Sequence, residues 1–212
     1  MIKQSSFKHD YFVTEMQYLE EINDTNKITF IAEVKISGNH ENQIVGKWHN
    51  LLKNKAKELG ANLYVLENYQ EDAESATAIL KLFFAGENFI KINNRKVNKN
   101  AVYVFNQSRS INDTACFFLN QNKINFDTKK YYKIFAKPYE LYKLSLANNK
   151  AKSVGESFPN NNQSVFYVIY NKSSDKFNPD NFQLNPVKVK FSKNIPLKFN
   201  YNLGRFLIEI YR

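Results

Sequence analysis

The feature that most restricts the fold is a strand, an amphipathic helix and a second strand in direct succession over residues 27–69. Residues 27–36 alternate apolar and mostly polar side chains, which predicts a half-buried strand. Residues 42–59 repeat apolar side chains at three- and four-residue intervals, which predicts a long amphipathic helix that Gly60 would end. Because residues 63–66 then form a short apolar run, the pattern predicts a crossover unit.

The next residues continue this mixed pattern of helix and strand. An apolar run at 76–85 fits either a helix or a strand, and we favour a strand; residues 87–95 predict a short helix, and residues 100–105 predict another strand. We therefore expect an α+β domain over residues 27–110, preceded by a polar N-terminal arm at 1–26.

In the second half of the chain the helical periodicity disappears, and short aromatic runs recur between turn residues. Regularly spaced short strands are typical of a β-sandwich or an open barrel. The sequence therefore predicts an α+β protein whose second domain, residues 111–212, is β-rich and sandwich- or barrel-like. The candidate strands are 115–119, 122–126, 131–137, 140–146, 164–170, 187–191, 197–201 and 205–211. Residues 155–163 and 173–180 predict loops.

The formal charge is strongly positive and is carried almost entirely by lysine. The chain has 30 Lys+Arg against 20 Asp+Glu, which gives a net charge of +10. Lysine is a hydrated point charge, so such a surface favours diffuse attraction to nucleic acid or another polyanion over specific readout. A solvated surface, enriched in lysine by A/T-rich codon usage, explains the same excess.

Two segments interleave lysines with aromatic or apolar residues, as nucleic-acid-binding surfaces do. The same alternation is typical of a strand with one solvated face. Tyrosine-rich strands also suit contacts with proteins or carbohydrates. The candidate binding surface consists of Lys130, Tyr131, Tyr132, Lys133, Lys188, Lys190 and Lys193.

The sequence shows no constellation typical of catalysis or metal binding. The 3 histidines lack the spacing of metal-ligand pairs, and the 6 glycines are isolated, so phosphate-binding loops are absent. One acidic cluster consists of Glu67, Glu71, Asp72 and Glu74. It favours a solvated loop, with divalent-ion binding as the functional alternative. We predict no catalytic residue, no cofactor and no metal; a hydrolase would need acids or Cys116 to converge only in the folded chain.

Localisation signals are weak. The sequence has no apolar stretch of about 18 residues, so we predict no transmembrane segment. The N-terminus has no apolar signal core, which taken at face value indicates a cytoplasmic protein. A chain from which an export signal had been removed would look the same and would belong to the periplasm or the outer membrane. Because Cys116 is the single cysteine, an intrachain disulfide is impossible.

Residues 52–65, with the sequence LKNKAKELGANLYV, resemble a unit of small bacterial envelope proteins. In stress-sensing outer-membrane lipoproteins and in the heavy-metal-binding-like domain, an amphipathic helix ends in an LGAN or LGAD turn and enters a strand. The resemblance covers residues 27–66, and the chain from Ala101 onward is similar to β-rich modules of bacterial lipoproteins. These families offer no catalytic set to carry over, and this chain lacks their cysteines.

The resemblance implies a non-enzymatic interaction or structural protein of the bacterial cell envelope, with a protein partner there. The alternative is a lysine- and tyrosine-rich protein that binds nucleic acid or another polyanion. A third hypothesis is a hydrolase whose site forms only in the tertiary structure.

Overall fold

The computed structural model describes residues 16–20, 25–39, 45–72, 74–96, 99–106, 116–126, 131–146, 153–157, 163–169 and 196–211. The strands are β1 Gln17–Tyr18, β2 Ile28–Asn39, β3 Leu63–Glu71, β4 Ser75–Ala85, β5 Ala101–Asn106, β6 Cys116–Leu119, β7 Asn122–Asn125, β8 Tyr131–Phe135, β9 Leu141–Ser145, β10 Ser153–Ser157, β11 Val165–Ile169 and β12 Leu197–Phe199. The helices are α1 Val45–Leu59, α2 Glu87–Lys96 and α3 Tyr201–Ile210.

The described residues are mostly β, with 55% in strands and 27% helical, so the predicted α+β class with one long helix is wrong. The helices are short, with 15 residues in α1 and 10 each in α2 and α3. The strands of the first half are longer than their apolar runs. For example, β3 continues to Glu71 because its polar end still pairs through the main chain with β4.

The first sheet has the strand order β1-β3-β4-β2. Strands β2 and β3 both run antiparallel to β4, so they point in one direction with β4 between them. Helix α1 connects them as the predicted crossover, and Gly60, with φ +75°, ends this helix. Along β4 alternate residues are buried, which turns one face of the sheet toward Trp48 and Leu52 of α1.

The sheet with the order β12-β11-β5-β8 is covered on both faces. In β5, Tyr103 and Phe105 belong to a core shared with the first sheet, whereas Val102 and Val104 belong to a second core. Strands β5 and β11 are parallel neighbours, and their continuous apolar sequences are typical of strands buried on both sides. This sheet combines β5 with strands from the second half of the chain. The predicted domain boundary at residue 110 stays a prediction.

The remaining sheet, with the order β10-β9-β6-β7, supplies the other side of the second core. This face-to-face arrangement of two sheets is loosely compatible with the predicted sandwich. The loop predicted over residues 155–163 is wrong at its start. Gly155 and Ser157 belong to β10 and pair with Lys143 and Leu141 of β9, because glycine and serine can extend an edge strand whose neighbour supplies the apolar side chains.

The strand predicted at 205–211 is wrong, because these residues form the second half of helix α3 and its C-cap. Asn200 caps it, with its side-chain oxygen accepting a hydrogen bond from the N–H of Leu203 at 2.9 Å. The helix is buried on nearly every side, so almost all of its positions are apolar. Because no polar residues recur at helical spacing, the sequence resembles that of a buried strand. It packs closely: a Cβ added at Gly204 would lie 2.1 Å from Cγ of Phe166 on β11.

Candidate functional site

Three of the seven residues predicted to form a binding surface lie on strand β8: Tyr131, Tyr132 and Lys133. The other four, Lys130, Lys188, Lys190 and Lys193, lie outside the described residues. Strand β8 is the last strand of its sheet and pairs with β5 alone among the described strands. The structure therefore puts the described part of the predicted surface at a sheet edge.

The two tyrosines lie on opposite faces of this sheet, because successive side chains of a strand alternate. The ring of Tyr131 is 5.5 Å from that of Phe105 in the first core, measured between centroids. The ring of Tyr132 is 6.0 Å from that of Phe117 in the second core. Both tyrosines are half-buried, so much of their surface supports the sheet.

Lys133 and Phe135 follow Tyr131 on the same face of β8. The ammonium nitrogen of Lys133 is 4.4 Å from the centroid of the Phe135 ring and 5.5 Å from that of Tyr103. A cation over an aromatic face is attracted by the ring quadrupole. The Phe135 ring is nevertheless 73% exposed, which is unusual for a phenylalanine.

The turn between β8 and β9 presents further apolar side chains. Tyr139 is 74% exposed and Leu141 is 49% exposed. Tyr139 has φ +65°, a left-handed conformation that is uncommon for residues other than glycine and asparagine. We call the group of Lys133, Phe135, Tyr139 and Leu141 the β8–β9 corner.

Hydrogen bonds hold the backbone of this corner in place. The N–H of Ala136 donates to the carbonyl oxygen of Asn100 at 2.7 Å. The hydroxyl of Tyr142 accepts from the N–H of Lys137 at 2.8 Å and donates to Glu140 at 2.9 Å. The exposed rings are therefore displayed by a bonded turn and a paired strand, which lowers the entropy lost when a partner binds them.

A buried charge cluster was missed by the sequence analysis. On α3, Arg205 donates from Nε to both carboxylate oxygens of Glu20 at 2.9 and 3.0 Å, and from a terminal nitrogen to Glu209. The three side chains are only 8–10% exposed. The Arg205 guanidinium also lies 4.0 Å from the centroid of the Tyr18 ring.

These contacts dictate how the cluster titrates. Burial lowers the pKa of Arg205, but the bonds and charges of Glu20 and Glu209 outweigh it, so that the pKa lies above its usual value. Burial, followed by the charge of Glu209, raises the pKa of Tyr18 to about 12. Because the guanidinium engages both carboxylates, the cluster acts as a clamp between the segment around Glu20 and helix α3.

The acidic residues predicted as a loop lie at the β3–β4 hairpin. Glu67 pairs with Lys81 across the sheet, and Glu71 accepts a bond from the hydroxyl of Tyr69 at 3.1 Å. Asp72 accepts from the N–H groups of Glu74 and Ser75, which stabilises the turn. Within the described residues no group of three or more His, Cys, Asp and Glu side chains is arranged to hold a metal ion.

The side chains considered for hydrolysis lie in different parts of the fold. Cys116 is half-buried on β6 in the sheet of the second core. His49 is buried on α1, 5.7 Å from the ring of Phe206, and its Nε2 atom has no hydrogen-bond partner. Burial, reinforced by the charge of Lys53, lowers the pKa of His49 to about 4. His9 and His40 lie outside the described residues.

No helix in the described ranges combines the length and apolar character needed to cross a membrane. Comparison with protein-family models, with curated proteins and with solved structures finds no match to this chain. The resemblance to envelope lipoproteins over residues 27–66 therefore stays a prediction.

Proposed function

We propose that this chain is a non-catalytic interaction protein that binds a protein partner through the β8–β9 corner. In this proposal it works in the bacterial cell envelope, as the resemblance of residues 27–66 implies. The partner contributes an extended, acidic segment that adds to the edge of β8.

The observation that carries the proposal is the concentration of exposed apolar side chains at the corner. Six large apolar residues are exposed in the described part of the chain, and Phe135, Tyr139 and Leu141 are three of them. Phe135 and Tyr139 are by far the most exposed of the six. Contiguous exposed apolar surface marks interaction sites, and large rings at the centre of an interface contribute most of its affinity.

The form of the partner follows from the strand edge and the local charge. An edge strand presents main-chain N–H and C=O groups that an incoming extended segment can pair with, while its side chains select the sequence. Lys133 and the exposed Lys137 outnumber Glu140 at the turn, so the charge beside the rings is net positive. Acidic side chains on the incoming strand complement these lysines and favour fast association.

Selection of peptides from a random library on the immobilised full chain tests this proposal. We expect enriched peptides that alternate apolar and acidic residues and have no proline in the paired segment. Their affinity should fall at least tenfold for the Phe135→Ser, Tyr139→Ser double variant. Leu51→Ser, which changes an exposed leucine on α1 away from the corner, is the control and should leave the affinity unchanged.

Three outcomes would overturn the proposal. One is a library that yields no enriched sequence, and another is a peptide that binds the double variant as tightly as the parent. The third is a chain that binds RNA or heparin with a steep salt dependence and independently of Phe135 and Tyr139, which would favour the polyanion alternative. A second copy of the chain as occupant would appear as a dimer that the double variant abolishes.

A further inference from the structure

The outer edge of strand β2 has no partner among the described strands. Strand β2 is the last strand of the sheet β1-β3-β4-β2 and pairs there with β4 alone. It has 12 residues, whereas no other strand at the edge of a described sheet has more than 5. Native proteins keep exposed edges short or cover them, because the main-chain N–H and C=O groups of an open edge pair with other chains. The length of this edge therefore indicates that another strand pairs with it.

The regular part of the edge is the segment 32–38. The pairing of β2 with β4 shifts its register between Phe30 and Ala32 and then continues without a shift to the end of β2. The segment contains no proline, so each of its residues keeps a main-chain N–H group. An incoming strand can therefore pair with the whole segment.

Side chains along this segment alternate between the two faces of the sheet. Ala32, Val34 and Ile36 belong to the first core, together with residues of α1. On the other face, Glu33 is half-buried and Lys35 is exposed. A partner strand must therefore supply apolar side chains beside α1 and polar ones on the opposite face. A second copy of β2 meets both requirements, because a twofold axis perpendicular to the sheet keeps each face on its own side.

The charges of β2 are complementary to those of an identical strand. Glu33 and Lys35 are the only charged residues of β2, so the strand is neutral although the chain carries a net charge of +10. Neither forms an ion pair with another described residue. Lys81, which lies opposite Glu33 on β4, is paired with Glu67 instead. Both charges of β2 are therefore available to a partner.

These charges also select one register for the pairing of two copies. With the twofold axis at Val34, Glu33 of each copy lies directly opposite Lys35 of the other. An axis at Glu33 or at Lys35 would instead bring like charges together, which is destabilising. In the Val34 register, Ile36 of one copy faces Ala32 of the other, so the apolar row beside α1 continues across the axis.

We propose that two copies of this chain associate by antiparallel pairing of their β2 strands about a twofold axis at Val34. The pairing joins two four-stranded sheets into one continuous sheet, with both α1 helices on the same face. Because each copy contributes its open edge to the pair, association ends at the dimer. The sheet involved contains neither β8 nor β9, so this inference is independent of the proposed protein-binding function.

Sedimentation equilibrium of the full chain over a series of concentrations tests the proposal. We expect the parent chain to dimerise. Glu33→Lys and Lys35→Glu each put like charges opposite each other at two symmetry-related positions, so each variant should weaken the dimer by about tenfold or more. An equal mixture of the two variants should dimerise as the parent does, because every lysine at these positions again faces a glutamate.

Two variants outside β2 serve as controls. Lys143→Glu makes the same charge change as Lys35→Glu at an exposed position of β9 and should leave the dimer unchanged. The Phe135→Ser, Tyr139→Ser double variant should also keep the dimer, which separates this surface from the β8–β9 corner. Recovery of the dimer in the mixture would establish that both charge variants are folded.

A parent chain that stays monomeric up to submillimolar concentration would overturn the proposal. Charge variants that dimerise as tightly as the parent would do the same. A mixture that associates no better than either variant alone would refute the register about Val34. Association beyond the dimer would contradict a pairing that leaves neither β2 edge open.

Discussion

The surroundings of helix α3 and the β8–β9 corner use the same kinds of side chain in opposite ways. Around α3, the aromatic rings are buried and the charges of Arg205, Glu20 and Glu209 are enclosed with them. At the corner, the rings of Phe135 and Tyr139 are exposed, and the neighbouring Lys137 and Glu140 are exposed as well. Aromatic content alone therefore does not indicate which part of this chain stabilises the fold and which part is available to a partner.

The difference has a physical consequence for mutations. A buried charge cluster depends on every member, because the loss of one leaves another charge desolvated and unpaired. An exposed ring has little to lose on substitution, because water already surrounds most of it. We expect substitutions near α3 to change the free energy of unfolding, and substitutions at the corner to change binding instead.

Replacement of Arg205 by methionine should have the largest effect. Methionine fills similar space but leaves the buried carboxylates of Glu20 and Glu209 without their cation, which should cost about 3–5 kcal/mol of unfolding free energy. Urea denaturation followed by circular dichroism measures this loss. Lys198→Met is the control, since its partly exposed pair with Glu156 should contribute about 1 kcal/mol or less. Equal losses in the two variants would contradict the distinction.

Acidification should produce the next largest effect through His49. Its pKa is lowered to about 4 from 6.5, so the folded state favours neutral imidazole and the unfolded state binds the proton more readily. The preference of the folded state for neutral His49 therefore contributes fully to the free energy of unfolding above about pH 6.5. This contribution is lost as the pH falls toward 4, and the total loss is about 3 kcal/mol.

The measurement is the difference in unfolding free energy between the parent chain and His49→Leu at pH 7 and at pH 4. Leucine does not titrate, and Nε2 of His49 has no hydrogen bond to lose, so the variant should gain relative to the parent as the pH falls. A constant difference between the two chains across this pH range would refute the role of His49.

Gly204→Ala tests the close packing of α3. The added Cβ would lie 2.1 Å from Cγ of Phe166, so the helix or the ring must shift. We expect a loss of about 1–3 kcal/mol, although alanine favours the helical conformation. Gly86→Ala is the matched control, because a Cβ there meets no atom within 4 Å. Thermal unfolding compares the two, and an unchanged midpoint for Gly204→Ala would show that the contact can relax.

The contrast between these two regions also explains what the sequence could predict. Helix α1 and the strand β2 were predicted because their apolar residues follow one clear period, and Gly60 supplies the positive φ that the turn after α1 requires. Helix α3 was missed because it is apolar on nearly every side, which removes the period.

The charge cluster depends on tertiary contacts that no local pattern records. Glu20 and Arg205 are 185 residues apart in the sequence. The spacing of Arg205 and Glu209 would have suggested an ion pair only if the segment had first been assigned as a helix. The exposure of Phe135 was equally hidden, since strand alternation indicates a face but not whether another layer covers it.

The smallest expected change in stability, and the clearest separation of the two regions, comes from Tyr139→Asn. Asparagine tolerates the left-handed backbone at φ +65° better than tyrosine does, so the free energy of unfolding should stay the same or rise by up to about 1 kcal/mol. The same variant should weaken binding of a peptide selected on the corner, because it removes one of the two most exposed rings. Tyr132→Asn, in contrast, removes a ring that packs on Phe117 and should destabilise the fold. Parallel urea denaturation and peptide titration distinguish these effects: a Tyr139→Asn chain that loses as much stability as Tyr132→Asn would mean that the corner belongs to the folding core and is not displayed for a partner.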